Sequence, residues 1–307
     1  MIGCGVSVGF VCPNQSALSV SKNGLLHMTG SGAENSYFFV PQNADELIQL
    51  ADAVEHLIID EAQEIPVTWL SNLSKRLARH VGITLFYDLN QLGGNIPNRD
   101  VERYKRRISD WKHMICVFPD VQKFCLMINY RNSREIAEHY VGLLAHALPA
   151  KPMADIPAFE TGDVVLHRTN CKDLQDVLGS LIRRLLQQHG ATDIGVVTLG
   201  SGAGRLCGVL RERKLPVCEQ PWECGVVIAS ASTIRGHERR VIVVVTGPAD
   251  SLERNFGVAI DAYIAMSRAV HRLFVIEVAD AWRISEAELF TWRQELPSLR
   301  RFWNKGS

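Results

Sequence analysis

Two neighbouring carboxylates, Asp60 and Glu61, follow directly after the apolar run His56 to Ile59. A short apolar run is typical of a buried strand, and ligands of open α/β sheets bind beyond the carboxyl ends of the strands. Phosphoryl transfer needs an acid that holds Mg²⁺ and a group that polarises the attacking water. Successive residues that leave a strand can supply both groups, so the pattern favours nucleotide hydrolysis. The alternative is a strand that ends in a solvated Asp-Glu turn.

A second apolar run, Leu85 to Tyr87, ends in Asp88, and Gln91 follows three residues later. The side-chain amide of Gln91 can bond a γ-phosphate or its attacking water and so report whether that phosphate is present. Taken alone, this pattern is more typical of an ordinary strand end.

Three later segments place basic and aromatic residues beside apolar runs. Tyr130 and Arg131 follow one such run, where the guanidinium group can bind phosphate oxygens and the tyrosine ring can stack. Ser230 to Glu238 precedes another run, and Tyr263 to Ala269 carries a single arginine, Arg268, just before a third.

The five segments, in this order and at these spacings, resemble the motifs of the superfamily 1 helicases, and within them the UvrD/Rep-like group. Val8 to Leu18 is similar to the strand and loop of their motif Ia. The residues Arg235-Gly236-His237-Glu238 stand where the family usually has K-G-L-E. The other matches are Asp60 to Gln63 with the DExQ of motif II (Walker B), Asp88 to Gln91 with motif III, Asn129 to Arg131 with motif IV, Ser230 to Glu238 with motif V, and Tyr263 to Ala269 with motif VI.

Short apolar runs alternate with longer amphipathic stretches along most of the chain, which predicts a doubly wound α/β architecture with mostly parallel strands. The predicted strands are Val6 to Val11, Ser36 to Val40, His56 to Asp60, Ile83 to Asp88, Phe124 to Asn129, Asp163 to His167, Asp193 to Thr198, Gly225 to Ser230, Val241 to Thr246 and Arg272 to Val278. The predicted helices are Ala44 to Val54, Pro66 to Arg79, Ser133 to Ala147, Cys171 to His189, Gly204 to Lys214 and Gly257 to Ala269.

The resemblance implies two RecA-like P-loop NTPase domains with ATP in the cleft between them. Motifs Ia to III then belong to a first domain, expected at residues 1–123, and motifs IV to VI to a second, expected at residues 124–280. Aromatic residues near the C-terminus predict a helical extension over residues 281–307 that packs back on the second domain.

Carried over from the family, the residue roles divide between catalysis and nucleotide binding. Asp60 would hold Mg²⁺, Glu61 would activate water and Gln91 would sense the γ-phosphate. Arg131 and Arg268 would act as arginine fingers, which contribute on the order of 10³ to 10⁵ in rate. The nucleotide-binding set is Tyr130 against the adenine, Glu238 near the ribose or phosphates, and Arg235 with Gly236 of motif V.

The sequence departs from the family because it contains no Walker A pattern, G-x-x-x-x-G-K-[ST]. Gly200 to Arg205 has Arg-Leu where Lys-Ser/Thr is required and falls in the expected second domain, so we interpret it as a plain turn. We therefore expect that the chain begins about one β-α unit later than the family and hydrolyses ATP poorly or not at all. The two explanations are a fragment of a longer gene product and a natural protein that has lost ATPase activity. The complete set of acids and arginines favours the first.

The resemblance also implies that the partner is single-stranded DNA and that movement runs 3′ to 5′. The sequence does not distinguish an RNA partner from a DNA partner. The family often has a base-stacking aromatic soon after motif III, but here Leu92 follows. Arg99 to Arg107, together with Trp111, is a candidate basic and aromatic substitute. The alternative for this stretch is a solvated helix face.

Composition sets outer limits on the class of protein. The chain has 307 residues, a formal net charge of zero, 47% hydrophobic and 21% charged residues, which excludes a disordered polyelectrolyte. No apolar run approaches the ~18 residues of a membrane span, and no secretory signal is visible. We expect a cytoplasmic protein with no membrane partner. The eight cysteines form no Cys-x-x-Cys pair, so we interpret them as reduced, buried residues rather than zinc ligands.

Two functional hypotheses follow. The first is the core of a superfamily 1 helicase or translocase, which couples ATP hydrolysis to movement on single-stranded nucleic acid. The second is a catalytically inactive nucleic-acid-binding or scaffold protein built on a decayed helicase fold.

Overall fold

The structure is a computed structural model, and it describes residues 7–13, 36–77, 81–92, 101–118, 121–124, 129–144, 162–199, 202–247 and 256–279. The protein chain divides into two compact units. Unit 1 comprises Met1–Leu92 and Glu102–Phe124, and unit 2 comprises Gly93–Val101 and Cys125–Ser307.

The described part of unit 1 is built on a four-stranded sheet in the order β2-β1-β3-β4, in which every strand pair is parallel. Its strands are β1 (Val8–Val11), β2 (Ser36–Phe39), β3 (His56–Ile59) and β4 (Gly82–Leu85). Its helices are α1 (Ala44–Asp52), α2 (Val67–Arg76) and α3 (Val101–Ile115), of which the first residue of α3 belongs to unit 2.

Strand β3 lies inside this sheet, and Leu57 and Ile59 are completely buried. Ile59 pairs with Val11 on one side and with Leu85 on the other. The carboxyl ends of β1, β3 and β4 are therefore level, and the residues that follow β3 and β4 emerge side by side at one edge.

The described part of unit 2 holds a six-stranded sheet in the order β5-β10-β9-β6-β8-β7, again with parallel pairs throughout. The strands are β5 (Asp163–Thr169), β6 (Ile194–Thr198), β7 (Val217–Cys218), β8 (Val226–Ser230), β9 (Arg239–Thr246) and β10 (Ala269–Val278). The helices are α4 (Arg134–Leu144), α5 (Leu174–Leu186), α6 (Ala203–Glu212), α7 (Ala231–Ile234) and α8 (Phe256–Met266).

The core of unit 2 lies between this sheet and helices α5 and α6. Leu178 and Ile182 of α5 and Leu210 of α6 pack into one cluster with the apolar side chains of the strands. Strand β6 is buried at every position, as expected for a parallel strand covered on both faces. The two parallel sheets confirm the α/β class predicted from the apolar runs.

Most predicted elements appear with bounds shifted by a few residues, but some do not. Phe124 and Asn129 lie outside any strand, and residues 125–128 between them are outside the described residues, as is the extension expected at 281–307. Helix α3 was not among the predicted helices. Its Trp111 is completely buried and packs against Tyr87, with ring centroids 5.0 Å apart, so it cannot stack a nucleic-acid base as suggested.

Within the part of the chain that the structure describes, no helix has both the length and the apolar character needed to cross a membrane.

Close packing around β6 allows a test of the unit 2 core. A Cβ atom added at Gly195 would lie 2.9 Å from Cδ1 of Ile242, whereas one added at Gly208 on α6 meets nothing within 4 Å. We expect Gly195→Ala to lower the free energy of unfolding by about 1–3 kcal/mol, because overpacking forces the neighbours apart. The matched control, Gly208→Ala, should instead raise it by up to about 1 kcal/mol, because alanine favours the helix. Urea unfolding measures the free energy of unfolding of both variants. Equal changes in the two variants would contradict the close packing around Gly195.

Candidate functional site

The turn after β3 begins with Asp60 and Glu61. The backbone N–H of Asp60 donates to the carbonyl of Val11 at 3.0 Å, and the N–H of Glu61 donates to Oδ1 of Asp60 at 2.9 Å. Glu61 has φ 47° and ψ 41°, a left-handed conformation that is uncommon for any residue other than glycine. This backbone reversal places two adjacent carboxylates at the carboxyl edge of the sheet.

Gln63 connects the turn after β3 to the turn after β4. Its side chain is completely buried; Nε2 donates to Oε2 of Glu61 at 2.5 Å, and Oε1 accepts from the backbone N–H of Asp88 at 3.1 Å. From the sequence, Gln63 was predicted only as part of a motif, with no role of its own. Its position three residues after Asp60 was the available signal.

Asp88 continues the same chain of hydrogen bonds. Its Oδ1 accepts from the backbone N–H of Asn90 and its Oδ2 from Nε2 of Gln91, both at 2.9 Å. The amide of Gln91 is therefore oriented by Asp88, and Gln91 itself is buried. The structure thus brings Glu61 and Gln91 into one hydrogen-bonded chain through Gln63 and Asp88, and Asp60 adjoins it.

The carboxylate of Asp60 was predicted to hold Mg²⁺. Among the described residues, no group of three or more His, Cys, Asp or Glu side chains could hold a metal ion by itself. Mg²⁺ in nucleotide sites takes one or two carboxylates and completes its shell with water and phosphate oxygens. The partly buried Asp60 fits an ion that arrives with a phosphate group, and it does not fit a cage made entirely of protein.

In unit 2, the loop before α4 presents Tyr130 and Arg131. Oδ1 of Asn129 accepts from the backbone N–H groups of Arg131 at 3.0 Å and Asn132 at 3.2 Å, which closes a tight turn. Tyr130 stands on this turn with 72% of its surface exposed. Nε of Arg131 forms an ion pair with Oε1 of Glu238. The structure therefore brings Arg131 together with Glu238, which lies 107 residues later in the chain.

Arg268 lies between the end of α8 and the start of β10, and only 2% of its surface is exposed. Its carbonyl accepts from the backbone N–H of Arg239 at 3.0 Å. The carbonyls on either side, of Ser267 and Ala269, accept from the side chain of Asn132. Arg131 and Arg268 are therefore carried by two loops that are in direct contact.

The segment after α7 contains Arg235, Gly236 and His237. Gly236 has φ 80°, a conformation that favours glycine. Arg235 and His237 are buried. Burial, followed by the positive charges of Arg239 and Arg268, lowers the pKa of His237 to about 4. His237 is therefore neutral near pH 7 and adds no charge beside Arg268.

Asp261 on α8 is a charged residue that the sequence analysis missed. Burial raises its pKa from the ordinary 3.8 to about 6, and the positive charge of Arg235 acts in the opposite direction. The signal was a single carboxylate within the otherwise apolar helix Phe256–Met266.

Removal of the Gln63 bridge should destabilise unit 1. Gln63→Leu leaves the Asp88 N–H and the Glu61 carboxylate without this partner, and we expect a loss of about 1–3 kcal/mol in the free energy of unfolding. Gln49→Leu, on the exposed face of α1, is the matched control and should change it by less than about 0.5 kcal/mol. Urea unfolding followed by circular dichroism compares the two variants. Indistinguishable midpoints would show that the bridge contributes nothing.

Titration of Asp261 should make the stability of unit 2 depend on pH. Its folded pKa of about 6 lies above the ordinary 3.8, so the folded state binds more protons between these values and stability falls as pH rises through that window. As the pH rises from 4 to 7, the free energy of unfolding of Asp261→Asn should therefore increase relative to that of the unsubstituted protein by about 1–3 kcal/mol. The lowered pKa of His237 has the opposite effect, because it makes stability rise as the pH rises. This effect is the same in both proteins and therefore cancels in the comparison. A pH-independent difference in unfolding free energy would contradict the assignment.

Neither a protein-family model nor a curated protein matches the sequence. Solved structures do. The DEAD-box helicase Mss116, bound to ssRNA and UDP-BeF, matches with a TM-score of 0.50 and 11% identity over 90% of this chain, which spans 60% of that chain. The C-terminal domain of a possible DNA helicase from Lactobacillus plantarum WCFS1 matches with a TM-score of 0.39 and 15% identity, over 52% of this chain and 96% of that one.

The likeness to Mss116 has the higher TM-score of the two, and at 11% identity it shows the fold alone. Together with the two parallel sheets, it shows that the chain has the α/β architecture of RecA-like helicase domains.

Proposed function

We propose that this chain carries the catalytic framework of a superfamily 1 helicase motor of the UvrD/Rep-like group, which couples ATP hydrolysis to 3′-to-5′ movement on single-stranded nucleic acid. The observation that carries the proposal is the hydrogen-bonded chain from Glu61 through Gln63 and Asp88 to Gln91. It supports a motor because the group that activates water and the group that senses the phosphate must respond together.

Preorganised polar groups stabilise a transition state best when they do not reorient during the reaction. Gln63 holds one oxygen of the Glu61 carboxylate, and Asp88 holds the amide of Gln91. In the proposed site Asp60 binds Mg²⁺, Glu61 accepts a proton from water and Gln91 contacts the γ-phosphate. The bound Mg²⁺-nucleotide supplies the phosphoryl group and its charge.

Unit 2 supplies the positive charge in this proposal. The Arg131–Glu238 pair leaves 40% and 44% of the two side chains exposed, and such pairs are worth about 0–1 kcal/mol. A phosphate group, which can accept two hydrogen bonds from one guanidinium group, can displace Glu238 at little cost. In this proposal the half-exposed Arg131 binds the phosphate, and Arg268, whose turn is in contact with that of Arg131, adds a second positive charge.

The remaining nucleotide contacts are proposed for motif IV and motif V. The exposed ring of Tyr130 stacks on the adenine. Glu238, once released from Arg131, approaches the ribose or phosphates, and Arg235 and Gly236 shape the backbone beside it. Single-stranded DNA is the proposed polymer, and RNA is kept as an outcome of the test.

A second candidate is a nucleic-acid-binding protein on the same fold that does not hydrolyse ATP. The absence of G-x-x-x-x-G-K-[ST] from the sequence favours it, because the lysine and the glycine-rich backbone of that loop bind the β- and γ-phosphates. Nucleotide binding separates the two candidates, because the first requires that the chain bind nucleotide and the second does not.

Nucleotide binding by the purified 307-residue chain tests the proposal. We expect Mg²⁺-dependent binding of fluorescent trinitrophenyl-ATP with turnover below about 0.1 s⁻¹, under the usual range of roughly 1–10³ s⁻¹. Arg268→Ala should weaken nucleotide binding about 10- to 100-fold, because hydrogen bonds to charged groups contribute about 1.5–3 kcal/mol. Arg205→Ala, an exposed arginine on α6, is the matched control and should bind normally.

Each outcome of this experiment separates the candidates. Normal nucleotide binding by Arg268→Ala would show that the site is misassigned. No nucleotide binding, combined with salt-dependent binding of single strands, would favour the second candidate. Rapid Mg²⁺-dependent turnover would contradict the expected need for a Walker A lysine. Parallel salt titrations with single-stranded DNA and RNA identify the polymer.

A further inference from the structure

Asn132 uses the whole hydrogen-bonding capacity of its side chain inside unit 2. The residue is only 6% exposed. Its Nδ2 donates to the carbonyl of Ser267 at 3.0 Å and to that of Ala269 at 2.6 Å. Its Oδ1 accepts from Nδ2 of Asn129 at 3.0 Å and from the hydroxyl of Tyr140 at 3.0 Å. An asparagine side chain offers two donors and two acceptor sites, so all of them are satisfied.

The two carbonyls that Asn132 binds flank Arg268. The β9–β10 ladder is irregular between Ala269 and Arg272, and within this interval Ser133 N–H also donates to the carbonyl of Val270 at 3.1 Å. The carbonyl of Arg268 itself is held from the other side by the N–H of Arg239 at 3.0 Å. Hydrogen bonds from two directions therefore fix the backbone of the turn that carries Arg268.

The turn that carries Arg131 is fixed through the same residue. The backbone N–H groups of Arg131 and Asn132 both donate to Oδ1 of Asn129, and Nδ2 of Asn129 donates to Oδ1 of Asn132. Any shift of Asn132 would therefore move the Arg131 turn and the Arg268 turn together.

We infer that Asn132 is a positioning residue that couples the placement of Arg131 to that of Arg268. Its importance for nucleotide binding rests on the proposed function, but the coupling of the two turns does not. The coupling requires the two N–H donors of Nδ2 of Asn132. A carboxylate oxygen in the same place would repel the carbonyl oxygens of Ser267 and Ala269.

Hydrogen exchange of backbone amides tests the coupling without any ligand. The amides of Arg239 and Ser133 report on it, because they donate to the carbonyls of Arg268 and Val270. In Asn132→Asp, and in Asn132→Ala should the first variant fail to fold, we expect both amides to exchange at least about tenfold faster while the amides of β6 keep their protection.

Tyr140→Phe is the matched control for this measurement. It removes the hydroxyl that donates to Oδ1 of Asn132 and accepts from Nδ2 of Asn129 at 3.3 Å, but it leaves both bonds from Nδ2 of Asn132 in place. Exchange at Arg239 and Ser133 should then change by less than about threefold. Unchanged exchange in the Asn132 variants, or an equal change in Tyr140→Phe, would overturn the inference.

A double-substitution cycle on trinitrophenyl-ATP binding tests the consequence for the nucleotide. We expect Asn132→Ala to weaken binding about tenfold when Arg268 is present and about threefold in an Arg268→Ala background, because Asn132 can then act only through Arg131. Additive effects would mean that Asn132 is merely structural and would overturn its positioning role. If the unsubstituted chain binds no nucleotide, the proposed function fails, and the exchange measurement alone decides whether Asn132 couples the two turns.

Discussion

Buried side-chain amides hold the candidate site in shape. In unit 1, the amide of Gln63 joins the carboxylate of Glu61 to the backbone N–H of Asp88. An amide carries a donor and an acceptor on one neutral group, so it can bridge a carboxylate and a backbone N–H without the desolvation cost of a buried charge. The bridge adds to a backbone bond between the same two turns, in which the N–H of Ala62 donates to the carbonyl of Phe86 at 2.8 Å.

Unit 2 meets the same requirement with Asn129 and Asn132. Both units must present charged side chains from irregular loops, where the regular hydrogen-bond ladder has ended and backbone groups need other partners. Neutral amides satisfy those backbone groups and leave the charges of Arg131 and Glu238 at the surface. The charged residues are therefore placed by neutral ones.

The sequence predicted the elements of the fold far better than the links between them. Continuous apolar runs indicated the strands, and the ends of those runs located Asp60 and Asp88. The roles of Gln63 and Asn132 were not predictable in the same way, because they depend on strand register and on contacts between residues 25 to 137 positions apart. The prediction that Trp111 stacks a base was wrong for a related reason. An aromatic residue in a charged segment is expected to be exposed, and its packing partner Tyr87 could not be identified from the sequence.

The left-handed backbone at Glu61 sets a limit on which residues suit this turn. An L-residue in that conformation is strained by roughly 1–2 kcal/mol relative to glycine. Selection for stability alone would therefore substitute glycine at this place. Glycine would relieve that strain, but it would also remove the carboxylate that accepts from Nε2 of Gln63, so the strained backbone is the cost of having an acid at this point of the turn.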